Sequence, residues 1–268
     1  MTSSDPLSTL SWLIEAGADE AMGDMPVNRL IARAPMVAQP PVAKAPTPRV
    51  APATPVLTGD EIGSAMEISA RCNSLAELKA ALEAFEGCAL KRQATNTVFA
   101  DGNPASRIML IGEAPGRDED RLGLPFVGRA GKLLDKMLAA IQLDRNSAYI
   151  TNVLNWRPPD NRNPEPAEVG VCMPFLRRHI ELVDPAILIL LGAVSVKSVL
   201  GLTDGIMKTR GRWLEYRVGD RMIPVMPTLH PAYLLRRPID KKLAWRDLQL
   251  AESRIAELGL PANAARAN

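Results

Sequence analysis

Residues 107–116 read "RIMLIGEAPG". The run "RIMLIG" is apolar, too short for a helix and rich in branched side chains, which predicts a buried strand, and "GEAPG" then breaks it with two glycines and a proline around one carboxylate. Three further runs have the same character: "AYITNV" (148–153), "AILILLG" (186–192) and "IPVMPT" (223–228). Between them lie helical stretches, "GKLLDKMLAAI", "PAEVGVCMPFLRRHIEL" and "AVSVKSVLG", and "DKKLAWRDLQLAESRIAEL" closes the series. Strand alternating with helix predicts an α/β protein, a three-layer α/β/α sandwich with a central, mainly parallel four-stranded sheet. In that architecture the ligand site lies outside the carboxyl ends of the strands.

The unusual segments fall where that rule places a site. "GEAPG" follows the first strand, "NVLNWRPPDNR" the second and "TLHPAYLLRR" the fourth, so all three are expected on one edge. A nucleotide phosphate loop is not among them. "FVGRAGKLL" has Phe126 where the first glycine is needed and Leu133 where a magnesium-binding hydroxyl belongs. With only two histidines, His179 and His230, a His-rich zinc site is ruled out as well. The acids Asp118, Glu119 and Asp120 read as a run on a loop, more a solvated flank than a magnesium site.

The remaining features bound the whole. A chain of 268 residues, 47% hydrophobic, can bury the core of one ordinary domain with material to spare. Its net charge of +2 does not advertise nucleic acid, so any basic surface must be local. No apolar stretch is long enough for a membrane span, the N-terminus lacks a signal-peptide pattern, and Cys72, Cys88 and Cys172 form no disulfide framework; the reading is a cytoplasmic protein. Residues 1–60 read as an appendage. A short helix-compatible pattern over 8–19 precedes a Pro/Ala-rich linker with eight of the 23 prolines between Pro26 and Pro55. Its helix is either a docking element for a protein partner or an idle terminus. The catalytic domain is expected over 61–260, opened by a helix with a capping box at Ser74 and Glu77, and 261–268 is read as a disordered tail.

Taken in order and spacing, "GEAPGRDEDRLGLPFVGRAGKLLDKML", "YITNVLNWRPPDNRNPEP" and "PTLHPAYLLRRP" resemble the family 4 uracil-DNA glycosylases over about residues 85–250. The resemblance implies hydrolysis of the bond between uracil and deoxyribose in DNA, in base excision repair, with the base rotated out of the helix into a pocket. It makes uracil-containing DNA the partner; apart from the resemblance, no membrane is expected and nothing in the sequence requires more than a monomer. Within the same resemblance, His230 is the imidazole facing uracil O2, Asn152 the amide that pairs with uracil N3 and O4, and Phe126 the aromatic that stacks on the base. Glu113 either places the attacking water or stabilises the cationic sugar; related branches carry an Asp at the next position, here Ala114. Gly112, Ala114, Pro115 and Gly116 shape a close backbone approach to base and sugar, and Glu119 braces the loop. DNA contacts are expected from Arg157, Asn161, Arg162, Arg210, Arg212, Arg236 and Arg237, with Leu234 or Leu235 as a wedge. Alternatives in the same frame are a glycosylase for hypoxanthine or xanthine and a catalytically weak protein that binds damaged DNA.

One departure stands out. Family members hold a [4Fe–4S] cluster on four cysteines. Cys88 and Cys172 occupy two of those places, and Phe85 and Trp156 the other two, so the cluster is expected to be lost, with aromatic rings filling its volume and two thiols left as small hydrophobes.

Overall fold

The computed structural model describes residues 59–260. The readings of a helix over 8–19, a linker and a C-terminal tail lie outside the described residues. Two helices open the described chain: α1 (Gly59–Arg71) and α2 (Leu75–Ala84). Ser74 caps α2, its hydroxyl accepting from Glu77 N at 3.2 Å, while the Glu77 carboxylate accepts from Asn73 N at 2.7 Å. Leu78, Leu82 and Phe85 then turn inward as one buried face.

The four expected strands are β2 (Ile108–Gly112), β3 (Tyr149–Asn152), β4 (Ile187–Leu191) and the later part of β6 (Arg221–Thr228), and they are mutually parallel. Two antiparallel edge strands complete the sheet: β1 (Asp101–Gly102) against β3, and β5 (Leu214–Val218) against β6. The sheet therefore has six strands in the order β1-β3-β2-β4-β6-β5, where four were expected. β1, two residues long, leaves no pattern in the sequence. β5, "LEYRV", alternates half-buried and exposed, as an edge strand covered on one face does.

Alternation along each central strand divides the interior into two cores. Met109, Ile111, Leu188, Leu190 and Val225 face a core shared with α1, α2, α5 (Pro166–Val183) and α6 (Ala193–Leu200). Ile108, Leu110, Ile189, Leu191 and Met226 face another, shared with α4 (Arg129–Ala140), α8 (Pro231–Arg236) and α9 (Lys241–Glu257). The result is the three-layer sandwich. Two short helices, α3 (Arg117–Leu122) and α7 (Ile206–Thr209), lie in the connections. Among the described residues no helix is long and apolar enough to cross a membrane.

The strand order also places the crevice. The chain passes from β2 to β3 on one side and then returns to lay β4 on the other, so connections leave the carboxyl end of β2 and β4 in opposite directions. The gap between them is the topological switch point, where open α/β sheets bind ligands. "GEAPG" lies there.

Candidate functional site

Gly112 ends β2 directly beside Asn152, which ends β3. The pairing continues past the strands, with Val153 N donating to Gly112 O and Leu154 N to Glu113 O, both at 3.0 Å. This zipper fixes the two loops against each other. A side chain at position 112 would collide with the Asn152 Oδ1 and Phe126 ring atoms, so glycine is what lets those two groups meet over the end of β2.

Around them is a cavity of about 370 Å³. It is lined by Glu113, Ala114, Pro115 and Gly116 after β2, Phe126 just before α4 and Ala130 in its first turn, Asn152, Pro158, Asn161, Arg162 and Asn163 at and after the end of β3, and His230, Ala232 and Arg236 after β6. Its size is that of a small-molecule site. The three loops expected on one edge are therefore brought together around a single cavity.

Asn152 is 2% exposed, and its Oδ1 is the one buried side-chain nitrogen or oxygen among the described residues without a hydrogen-bond partner. Leaving such an oxygen unsatisfied costs about 1–3 kcal/mol, which a ligand donor in the cavity would offset. Burial, followed by the nearby Arg236 charge, pulls His230 down to about 4, so the ring is neutral at ordinary pH. His230 caps α8, its Nδ1 accepting from Ala232 N at 3.1 Å. The neutral ring must then carry its proton on Nε2, a donor with no other task. The Phe126 ring is 5.6 Å from that of His230, centre to centre, tilted by 33°. Phe126 itself has φ 55°, a left-handed conformation costly for an aromatic residue, on the order of 1–3 kcal/mol.

Burial raises the Glu113 carboxyl above its ordinary range, and the Arg236 charge partly opposes this. Glu119 is the brace that was expected, but on a helix: its carboxylate accepts from Gly116 N at 3.1 Å, Val127 N at 3.0 Å and Gly128 N at 2.8 Å, tying the "GEAPG" loop to the loop bearing Phe126. The acids 118–120 form the first turn of α3, where the positive end of the helix dipole favours them. Asp120 is no solvated flank. It is buried and accepts from Thr95 N at 2.8 Å and Asn96 N at 3.2 Å.

Beside the cavity runs a groove of about 610 Å³ lined by Arg117, Arg129, Arg157, Asn161, Leu235 and Arg236, among others. Sequence reasoning missed Arg117 and Arg129. They sit inside "GRDED" and "VGRAG", where neighbouring acids and glycines masked them. Arg157 donates to Asn161 Oδ1 at 2.8 Å, and Asp160 and Asn161 both adopt φ 53°. Arg162 binds the buried Glu168 carboxylate through two nitrogens, at 2.9 and 2.5 Å. Arg212 is exposed but lines neither space, and Arg237 pairs with Asp240 at 3.5 Å.

Two expectations about DNA contacts are corrected. Arg210 is turned inward: Nε donates to Asp247 Oδ2 at 3.0 Å and Nη2 to Leu243 O at 2.6 Å, anchoring α9 under the end of β6, so it is not available to a phosphate. Leu234 is 1% exposed in the core, whereas Leu235 is exposed on the groove, which leaves Leu235 as the wedge candidate. The other histidine, His179, is a core residue. It stacks on Phe99 at 4.3 Å, hydrogen-bonds the Tyr149 hydroxyl at 2.9 Å, and is pulled by burial to about 3.

The cysteine positions do not fit a four-iron cluster. Cys88 and Cys172 are fully buried, and the neighbouring Cys88 thiol together with burial holds the Cys172 thiol well above its ordinary value. Phe85 and Trp156 belong to the same core, Phe85 packing on Phe175 at 5.2 Å and Trp156 Nε1 donating to Thr97 Oγ1 at 3.0 Å. Cys72 points elsewhere, donating to Ile68 O at 3.3 Å. Among the described residues no three His, Cys, Asp or Glu side chains are grouped so as to hold a metal ion.

Comparison with known proteins agrees with this geometry. Residues 99–249 match the family model described as the uracil DNA glycosylase superfamily. The chain is 39% identical over 182 residues to a type-4 uracil-DNA glycosylase of Sulfurisphaera tokodaii, covering 66% of this chain and 83% of that protein. It is 39% identical to the Thermotoga maritima type-4 enzyme, covering 64% and 90%, and 43% identical to that of Archaeoglobus fulgidus, covering 56% and 78%. A polar cavity at the switch point, the three loops that enclose it and these matches lead to one conclusion: the chain belongs to the uracil DNA glycosylase superfamily.

Proposed function

We propose that this protein is a uracil-DNA glycosylase of base excision repair, hydrolysing the bond between uracil N1 and deoxyribose C1′. The observation that carries the reading is the convergence, in one cavity, of the orphaned Asn152 amide, the neutral His230 Nε2–H and the Phe126 ring. Asn152 offers a donor and an acceptor on one rigid amide, which complements uracil O4 and N3–H and mismatches cytosine. As C1′–N1 breaks, the bonding pair leaves with uracil and spreads onto O2, where the His230 N–H stabilises it without giving up its proton. Positive charge left on the sugar is met by the Glu113 carboxylate, which also orients the water; water oxygen bonds C1′, and its proton goes to solvent through that carboxylate. Phe126 stacks on the extruded base.

Arg117, Arg129, Arg157 and Arg236 hold phosphates along the groove, and Leu235 enters the gap that the base leaves. The enzyme works without an iron-sulfur cluster, the buried side chains around Cys88 and Cys172 doing the packing. The test is a panel of oligonucleotides, single- and double-stranded, carrying uracil, hypoxanthine or xanthine, with abasic sites cleaved by alkali. Cleavage at uracil is the expected outcome. Binding with no cleavage of any of them would overturn the reading in favour of a damage-binding protein.

A further inference from the structure

Phe126 is held in a left-handed backbone conformation with no glycine to ease it, so its neighbours must impose that conformation. The carbonyls on either side of the strained unit share one partner. Arg145, on the loop between α4 and β3, donates from Nη1 to Pro125 O at 3.2 Å and from Nη2 to Phe126 O. The guanidinium is fixed from behind by two carboxylates, Asp135 through Nε at 2.9 Å and Asp101, on edge strand β1, through Nη1. A side chain at Gly131 would collide with the same Phe126 carbonyl, so the first turn of α4 closes directly on it. Arg145 itself is absent from the cavity lining and from the groove. With two carboxylates against it, its charge is already neutralised, which argues against a phosphate contact.

We propose that Arg145 is a positioning residue for base stacking: it grips the Pro125 and Phe126 carbonyls and thereby sets the plane that the Phe126 ring presents to the extruded base. The proposal rests on the stacking role given to Phe126 above. A planar fork spans two carbonyls and two carboxylates at once, which the single ammonium of lysine cannot do.

The test measures kcat and KM on a uracil oligonucleotide, with thermal melting alongside, for Phe126→Ala, Arg145→Ala, Arg145→Lys and the double variant Arg145→Ala/Phe126→Ala. Arg145→Ala is expected to lower kcat about tenfold, the scale of a modest misplacement of a reacting group, with little change in KM or its salt dependence. Lysine is expected not to restore it, and the double variant to match Phe126→Ala alone. Independent, multiplying losses in the double variant would overturn the proposal, as would full rescue by lysine or a defect confined to KM and sensitive to salt. Should Arg145→Ala not fold, Asp101→Asn loosens one anchor. A smaller kcat loss that vanishes in the Phe126→Ala background supports the proposal, and a loss that persists there contradicts it. Wild-type kcat for Phe126→Ala would remove the stacking role itself, and with it the reason for the clamp.

Discussion

At the scale of single residues, the site works by setting protonation states through burial. His230 is neutral because water is kept from it, and its tautomer follows from one backbone N–H at Ala232. Glu113 lies in the same cavity, raised by desolvation and pulled back by Arg236. In the mechanism proposed above Glu113 works ionised, so activity is expected to fall as pH drops through its elevated value, while His230 is held down to about 4. Removing the Arg236 charge takes away a stabiliser of the carboxylate. Arg236→Ala is therefore expected to move the acid limb of the kcat profile to higher pH, read from single-turnover rates across pH at fixed ionic strength; an unmoved limb would separate Glu113 from the chemistry. The motifs around His230, Asn152, Phe126 and Glu113 placed them on one edge, and all four line one cavity. The sequence carried neither the tautomer nor the orphaned Oδ1, since both depend on packing that no local pattern encodes.

At the scale of elements, the loop bearing His230 stands on a buried polar cluster between β6 and α9. Thr228 donates to Asp247 Oδ2 at 2.7 Å, the Arg210 guanidinium binds the same carboxylate, and Gly211 N donates to Pro227 O at 3.0 Å. Asp247→Ala would strand the Arg210 charge in a site where its side chain is only 14% exposed. The expected cost is about 3–5 kcal/mol of stability, measured by urea unfolding, and a change under about 1 kcal/mol would contradict the role given to this pair. Two arginines flanking a glycine read alike in sequence as loop cations. Which one turns inward is settled by a carboxylate 37 positions further along the chain, invisible to any local window. The four parallel strands were legible because burial on both faces makes them continuous apolar runs, whereas β1 and β5, at the edges, lack that signature.

Across the described residues, two cores flank one sheet, and the cavity sits at the carboxyl ends of its parallel strands. The face carrying Cys88 and Cys172 is packed with the side chains of one core, and the segment bearing Asn161 and Arg162 is secured by the Glu168 carboxylate. Purified protein is accordingly expected to be colourless, and stoichiometric iron and acid-labile sulfide would contradict that. The basic groove is local, built from Arg117, Arg129, Arg157 and Arg236 on separate stretches of a chain whose net charge is only +2, which is why composition gave no hint of it. Whether one cavity both reads and releases uracil is decided by the rate of free uracil release from a uracil oligonucleotide by the wild-type chain, Asn152→Ala and His230→Ala. The wild type should release uracil, His230→Ala should be slowed about 10²–10³-fold, as for loss of one anion-stabilising donor, and Asn152→Ala should also be strongly impaired, both with melting temperatures near wild type. Undiminished release by either folded variant would contradict the claim.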